Sequence, residues 1–312
     1  MHRDIPDYVQ FYPTLRCNLS CSFCFNRGIA SRADVTVRDF ERIVSVLSDQ
    51  GIRELDILGG EPTLHPRFNE LIETVSGSEI RTALSTNGHN NVRLLEDIHR
   101  RYGNDPVRVG VSVNSGDISR ELHEYIVTYK PMVKSVYTRD RKVPASVRDY
   151  LSLSGLEYYL IFMDVIARED LGNCLPFYEF FRDLDLFRKA HTNVSGVFCS
   201  GFIPDVAAYP VLEYVRCPAG TTKFSILPDG SVYPCYLFFR YEEFRIGNIL
   251  SADFDKAWKS PKLDFFRRYE GNACTRRGCE LFSLCHGGCP AVSLLIYGDL
   301  RAPDPRCVHL LP

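Results

Sequence analysis

Short apolar runs alternate with segments of helical spacing through the first half of the chain. Tyr8–Thr14, Arg53–Leu58, Ile80–Thr86, Val107–Val113, Val133–Arg139 and Tyr158–Ile166 are each rich in β-branched, aromatic or long apolar residues, the composition of strands. Between them, Val37, Phe40, Ile43, Val44 and Leu47 recur at helical spacing, as do Leu94, Leu95 and Ile98. Strand and helix in regular alternation predict an α/β fold with a parallel sheet. Ligands of such sheets bind beyond the carboxyl ends of the strands, so the loops that follow the strands are where chemistry is expected. Tyr8, Phe11, Tyr12, Tyr158, Tyr159 and Phe162 fall at strand spacing and read as core packing.

Composition agrees with a globular chain, because 45% hydrophobic residues over 312 positions can bury a sizeable core. A net charge of -2 gives no basic footprint, and nucleic acid is not expected as a partner. No apolar run approaches the ~18 residues of a membrane span, and Met1 to Asp7 lacks the apolar core of a secretion signal. The expectation is a cytoplasmic protein without a membrane partner. In that compartment 12 cysteines do not read as disulfides, since thiols are kept reduced, and metal ligation is their natural use. Positions 25 to 173 contain none, whereas Cys199, Cys217, Cys235, Cys274, Cys279, Cys285, Cys289 and Cys307 crowd the last third. That distribution divides the chain into residues 1–190 and 191–312.

Cys17, Cys21 and Cys24 lie in the run Cys17-Asn18-Leu19-Ser20-Cys21-Ser22-Phe23-Cys24, directly after the first predicted strand. The spacing lets three thiolates converge from one loop, one ligand short of the four that a cubane cluster or a zinc ion takes. With Phe23 just before the third cysteine, the run resembles the radical S-adenosylmethionine (SAM) superfamily. The resemblance implies a partial (βα)6 TIM-like barrel over residues 8 to about 190. It also implies a 4Fe-4S cluster on Cys17, Cys21 and Cys24, with SAM chelating the fourth iron and cleaved to a 5'-deoxyadenosyl radical.

The ends of later strands carry further matches. Gly59-Gly60-Glu61-Pro62 follows the second strand, where glycines permit backbone approaches that a side chain forbids. It resembles the family's GGEP motif, which implies that Gly60 and Glu61 meet the SAM amino group; read alone, it is a turn. Ser85-Thr86-Asn87-Gly88 after the third strand offers Ser85 and Asn87 for hydrogen bonds to a ribose or carboxylate, or is an Asn-Gly turn. Val111-Ser112-Val113-Asn114 after the fourth resembles the family's Ser-x-Asp ribose element, with Asn114 in place of the acid.

The C-terminal third runs from Cys217 through Gly230 to Cys235, Ile246 to Ile249, Ala257 to Pro261 and the final cysteines. This order, and above all Cys285-His286-Gly287-Gly288-Cys289-Pro290-Ala291, is similar to the SPASM domain, the auxiliary-cluster domain of enzymes that modify peptides and proteins. Cys274 and Cys279 enclose four residues where the family has a CxxC pair. Carried over from the family, Cys217, Cys235 and Cys289 belong to a first auxiliary cluster, completed by Cys199 or left with an open iron. Cys274, Cys279, Cys285 and Cys307 belong to a second. Cys174 is left over, after the sixth strand, and reads either as a hydrogen-atom donor to a substrate radical or as a small buried hydrophobe. None of the 8 histidines has metal-ligand spacing, and runs such as Arg139 to Lys142 read as solvated faces.

The resemblance implies hydrogen abstraction from a peptide or protein substrate, ending in a cross-link, an oxidation or an epimerisation. Reduction by a flavodoxin or ferredoxin is implied with it. The chain begins almost at the first strand, so a separate peptide-recognition protein is one expectation. A small-molecule substrate such as an aminoglycoside sugar is the alternative, and a zinc-stabilised binding protein is the reading from another class.

Overall fold

Both faces of β1 (Tyr8–Phe11) are buried along its whole length, as a strand with parallel partners on each side requires. It is followed by β2 (Glu54–Ile57), β3 (Arg81–Thr86), β4 (Val107–Ser112), β5 (Met132–Tyr137) and β6 (Tyr158–Phe162), each paired in parallel with the one before. These six strands lie where the apolar runs predict them. The computed structural model describes residues 6, 8–140, 143–197, 217–252, 254–269, 271–274, 278–279, 282–285 and 287–307. Cys199 and His286 lie outside the described residues.

The crossovers are helical. In α1 (Val37–Asp49) the Thr36 side chain accepts the Asp39 N–H at 3.0 Å, closing the first turn. The predicted stripe Val37, Phe40, Ile43, Val44 and Leu47 is its buried face. Helices α2 (Phe68–Ser76), α3 (Val92–Tyr102), α4 (Arg120–Tyr129), α5 (Ala145–Leu151) and α6 (Phe177–Ala190) repeat the arrangement. In α3 the pattern holds for Leu95 and Ile98, which are buried, while Leu94 packs at the margin.

The sheet does not stop near residue 190. A seventh strand, β7 (Val194–Val197), pairs in parallel with β6, and β8 (Lys223–Ile226), from the C-terminal part, pairs in parallel with β1. The strands β9 (Ser231–Tyr233) and β10 (Gly247–Asn248) add an antiparallel edge, giving the order β10-β9-β8-β1-β2-β3-β4-β5-β6-β7. Among the described residues the two end strands do not pair, so the barrel is partial. The two predicted regions therefore share one sheet. Short helices α7 (Phe254–Ala257), α8 (Asp264–Arg267), α9 (Phe282–Cys285) and α10 (Pro290–Tyr297) complete the C-terminal part. Trp258 after α7 is buried against Phe224 of β8, with the Arg267 guanidinium 5.2 Å above its ring.

The two faces of the sheet differ. Val9, Phe11, Leu55, Ile57, Leu84, Val109 and Val133 join the large core under the helices. The residues between them carry Gln10, Asp56, Ser85, Lys134 and Ser225, all buried. These polar groups bond one another across strands: Tyr8 Oη donates to Asp56 at 3.1 Å, Ser85 Oγ to Asp56 at 3.0 Å, and Lys134 Nζ to Ser85 at 3.2 Å. A polar lumen under the strand ends is what a ligand site requires and a packing core does not.

Candidate active site

The loop from Cys17 to Asn26 has no regular secondary structure, and its shape is imposed by the strand ends beside it. The Gly60 amide donates to Thr14 O at 3.0 Å, and the Glu61 amide to Arg16 O at 2.7 Å. The backbones pass so closely that a Cβ on Gly60 would stand 2.1 Å from Arg16 O, and one on Gly59 2.5 Å from Thr14 O. Gly59 also has φ +150°, in the region glycine favours. The far end of the loop is tied by Asn26, whose Nδ2 donates to Gly59 O at 2.7 Å. Asn18 bridges to the third strand end, accepting from Asn87 Nδ2 at 2.8 Å and donating to His89 O at 3.2 Å.

The three thiols are thereby gathered. Cys17 is exposed, and Cys21 and Cys24 are partly buried. Partial burial raises the Cys17 and Cys21 thiols, and the neighbouring cysteines of the loop raise them further. Thiols that oppose one another's ionisation suit a shared cationic centre, which relieves that repulsion. Phe23 packs its ring on the core at the base of the loop.

Glu61 is almost fully buried, and its carboxylate is engaged within the protein. One oxygen accepts from Thr63 N at 3.2 Å, Thr63 Oγ1 at 2.7 Å and Thr86 Oγ1 at 2.7 Å; the other accepts from Asn87 N at 2.7 Å. Glu61 therefore joins the ends of β2 and β3, with Pro62 opening the short turn after it. Ser85 lies deeper, its hydroxyl shared by Asp56 and Lys134. Asn114 is exposed, and its Oδ1 accepts the Val136 amide at 2.8 Å, joining β4 to β5 beside half-buried Ser112. The sequence-predicted residues are thus brought to one end of the sheet, though several engage protein groups first.

Among the described C-terminal thiols, Cys289 and Cys285 have different cysteine neighbours. Burial raises the Cys289 thiol well above its ordinary value, and Cys217 and Cys235 are among the neighbours that add to the effect. Burial likewise raises Cys285, whose own neighbours are Cys274, Cys307 and Cys279. Thiolate sulfur is the donor that iron-sulfur clusters take. The donor set fits the 4Fe-4S clusters that the sequence implies, and Cys17, Cys21 and Cys24 would hold the one at the strand ends.

Several residues without a motif complete the site. Tyr236, just after Cys235, donates to Asp164 at 2.6 Å and packs its ring 4.5 Å from Phe25. One terminal nitrogen of Arg240 donates to the carbonyls of Phe25 and Arg27, so the C-terminal part grips the cysteine loop directly. The Arg27 side chain in turn pairs with Asp170 after β6. Proximity to Cys235 was the one available signal for Tyr236 and Arg240. Cys174 lies near Arg306 and Asp304, which also neighbour Cys289. It is fully buried in the main core, its Sγ–H 3.4 Å from Leu175 O and 3.8 Å from Met163 O, and burial pushes the thiol up to about 12.

Comparison with known proteins extends the geometry. The profile of the radical SAM superfamily matches residues 11–143, and that of an iron-sulfur cluster-binding domain, SPASM, matches residues 217–290. The mycofactocin maturase MftC of Mycobacterium ulcerans is 24% identical, over 98% of this chain and 89% of its own. The PqqA peptide cyclase of Bradyrhizobium diazoefficiens is 23% identical, over 97% and 86%. Streptococcus suis SuiB bound to S-adenosylmethionine superposes with TM-score 0.74 at 21% identity, over 98% of this chain and 78% of that one. Bound to its precursor peptide SuiA, it superposes with TM-score 0.71 at 20% identity, over 98% and 76%. With three thiols seated at the strand ends and both family models matched, the chain belongs to the radical SAM superfamily and carries its SPASM domain.

Proposed function

We propose that the protein matures a peptide or protein substrate by radical chemistry, abstracting a hydrogen atom from an unactivated carbon. When bound, the cluster and SAM together supply a 5'-deoxyadenosyl radical. The protein's own contribution is placement. Gly59 and Gly60 bring the GGEP backbone against the cysteine loop that carries Cys17, Cys21 and Cys24. Gly60, Asn87 and Ser112 would orient SAM there, with Glu61 holding the β2 and β3 ends at fixed separation and Asn114 holding β4 to β5. Cys217, Cys235 and Cys289 would carry one auxiliary cluster, and Cys274, Cys279, Cys285 and Cys307 the other.

The observation that carries this reading is the seating of the Cys17–Cys24 loop on Gly59–Glu61, in a chain where Cys289 has Cys217 and Cys235 for neighbours and Cys285 has Cys274, Cys279 and Cys307. The peptide substrate is supported by relatives described as a maturase and a peptide cyclase, and by a fold shared with SuiB in its complex with precursor peptide. The same thiols suit the reducing cytosol, with electrons from a flavodoxin or ferredoxin. Whether the product is cross-linked, oxidised or epimerised depends on where the second electron or hydrogen goes.

Anaerobic purification tests the reading: about twelve irons per chain are expected, enough for three cubane clusters. With dithionite and SAM the protein should release 5'-deoxyadenosine, and Cys17→Ala should abolish that release. A colourless protein holding stoichiometric zinc would overturn it. Mass spectrometry in deuterated water separates the outcomes, since one incorporated deuterium marks epimerisation and the loss of two hydrogens marks oxidation.

A further inference from the structure

Asp304 and Arg306 form a buried ion pair where the C-terminal part meets the barrel, exposed by only 1% and 2%. The carboxylate takes a two-pronged grip on the guanidinium, 3.0 Å from Nε and 2.8 Å from a terminal nitrogen. The oxygen that accepts the terminal nitrogen also accepts the Cys289 amide at 2.7 Å. Asp304 is itself fixed by backbone bonds: its amide donates to Gly287 O at 3.0 Å, and its carbonyl accepts from Cys307 N at 3.1 Å. Gly288, at φ +99°, leaves the space for this approach, because a Cβ there would lie 2.0 Å from Asp304 Cβ.

The other side of Arg306 faces the barrel. Its second terminal nitrogen donates to Met163 O at 3.0 Å, immediately after β6. The guanidinium lies 4.8 Å from the Phe162 ring centre and 5.0 Å from that of Phe177, and the Phe177 amide donates to Arg306 O at 3.2 Å. Every polar arm of the pair is used, between a barrel strand on one side and Cys289 on the other. Desolvating two charges is costly, and a buried ion pair is weak support for stability on its own. Here it adjoins Cys289, whose thiol is raised by burial, with Arg306 the largest influence opposing that effect and Asp304 acting the other way.

We propose that Arg306, held by Asp304, is a positioning residue for the first auxiliary cluster: it sets a fixed positive charge beside the Cys289 thiolate and ties that thiolate to the end of β6. The proposal rests on Cys289 being a ligand. A cationic neighbour favours the electron-richer state of a thiolate-bound cluster, and cluster potentials respond to local charge and hydrogen bonds. Removing the charge therefore moves the potential of that cluster to more negative values and leaves the other clusters alone.

The test is a dithionite titration of the iron-loaded full chain, followed by electron paramagnetic resonance, on wild type, Arg306→Gln and Arg306→Lys. One potential should shift negative in Arg306→Gln at full iron content, and Arg306→Lys, which keeps the charge, should stay at the wild-type value. Unmoved potentials in iron-replete Arg306→Gln, or an equal shift in both variants, would overturn the proposal. Should Arg306→Gln not hold iron, Arg306→Lys decides, a wild-type potential supporting the proposal and a shifted one overturning it. Iron content of Cys289→Ala separates the two layers. Full iron there removes the ligand reading and the proposal with it, whereas lost iron with unmoved potentials in Arg306→Gln removes the proposal alone.

Discussion

The Cβ that Gly60 lacks would stand 2.1 Å from the carbonyl oxygen of Arg16, the residue just before Cys17. The obstacle is backbone on both sides, so no side-chain rotation relieves it. Gly60→Ala must separate the two segments and break the 2.7 Å bond from Glu61 N to Arg16 O. The barrel core lies elsewhere and should survive. The expected result is a variant with native far-ultraviolet dichroism, about one third of the iron missing, and 5'-deoxyadenosine formation reduced at least about hundredfold. A variant that keeps full iron and activity would show that the loop does not depend on this approach.

Glu61 makes a different kind of contact, since its carboxylate receives four donors from Thr63, Thr86 and Asn87. Glu61→Gln places an amide N–H₂ against one of them, leaving a buried donor without an acceptor. Such a loss costs about 1–3 kcal/mol. Anaerobic urea unfolding should show a destabilisation of that size, and SAM binding should weaken because the β2 and β3 ends are no longer held together. Unchanged unfolding would mean that the site tolerates the exchange.

The glycine, the acid and the strands themselves are legible in the sequence, because each follows from a local rule: apolar runs, helical spacing, glycine where backbones meet. The resemblance gives Glu61 a SAM-facing role; the structure adds donors from Thr63, Thr86 and Asn87 to its carboxylate, and nothing in the four-residue motif encodes those partners. The pairing of β8 with β1 was hidden for another reason. Lys223–Ile226 is four residues long and meets Tyr8–Phe11 across most of the chain, a register that no local pattern encodes. Asn18, Asn26 and Arg240 act through backbone carbonyls supplied by distant segments, so their residue types alone carry no signal.

Lys134 offers a readout that depends on pH. Burial in the lumen pushes its ammonium down to about 8, opposed by the nearby Asp56 and Glu61 carboxylates. Below pH 8 the lysine is protonated in both states, and the folded protein carries the full penalty of a buried charge. Between about 8 and its ordinary value near 10.4, the unfolded chain holds a proton that the folded one has released, so stability rises with pH. The stability of wild type minus Lys134→Met should therefore climb by up to about 1.4 kcal/mol per pH unit across that window. Denaturant titrations at pH 7, 8, 9 and 9.5 measure it. Parallel curves for the two proteins would place the Lys134 transition outside the window.

Arg240 tests whether the C-terminal part controls the radical site mechanically. It follows Cys235 on the auxiliary side, yet one of its terminal nitrogens donates to the carbonyls of Phe25 and Arg27, on the far shoulder of the cysteine loop. Burial lowers its pKa, but the group stays charged, and each charge-assisted bond contributes about 1.5–3 kcal/mol. Arg240→Ala removes both bonds and leaves Gly59, Gly60 and Asn26 to hold the loop. The loop should then remain attached but move more, so iron content stays near wild type while 5'-deoxyadenosine formation falls about ten- to hundredfold. Arg240→Lys, a point charge on a flexible stem, should recover part of the rate, because it can reach one carbonyl but not bridge two in fixed geometry. Equal rates in Arg240→Ala and wild type would show that the loop is seated by the barrel alone.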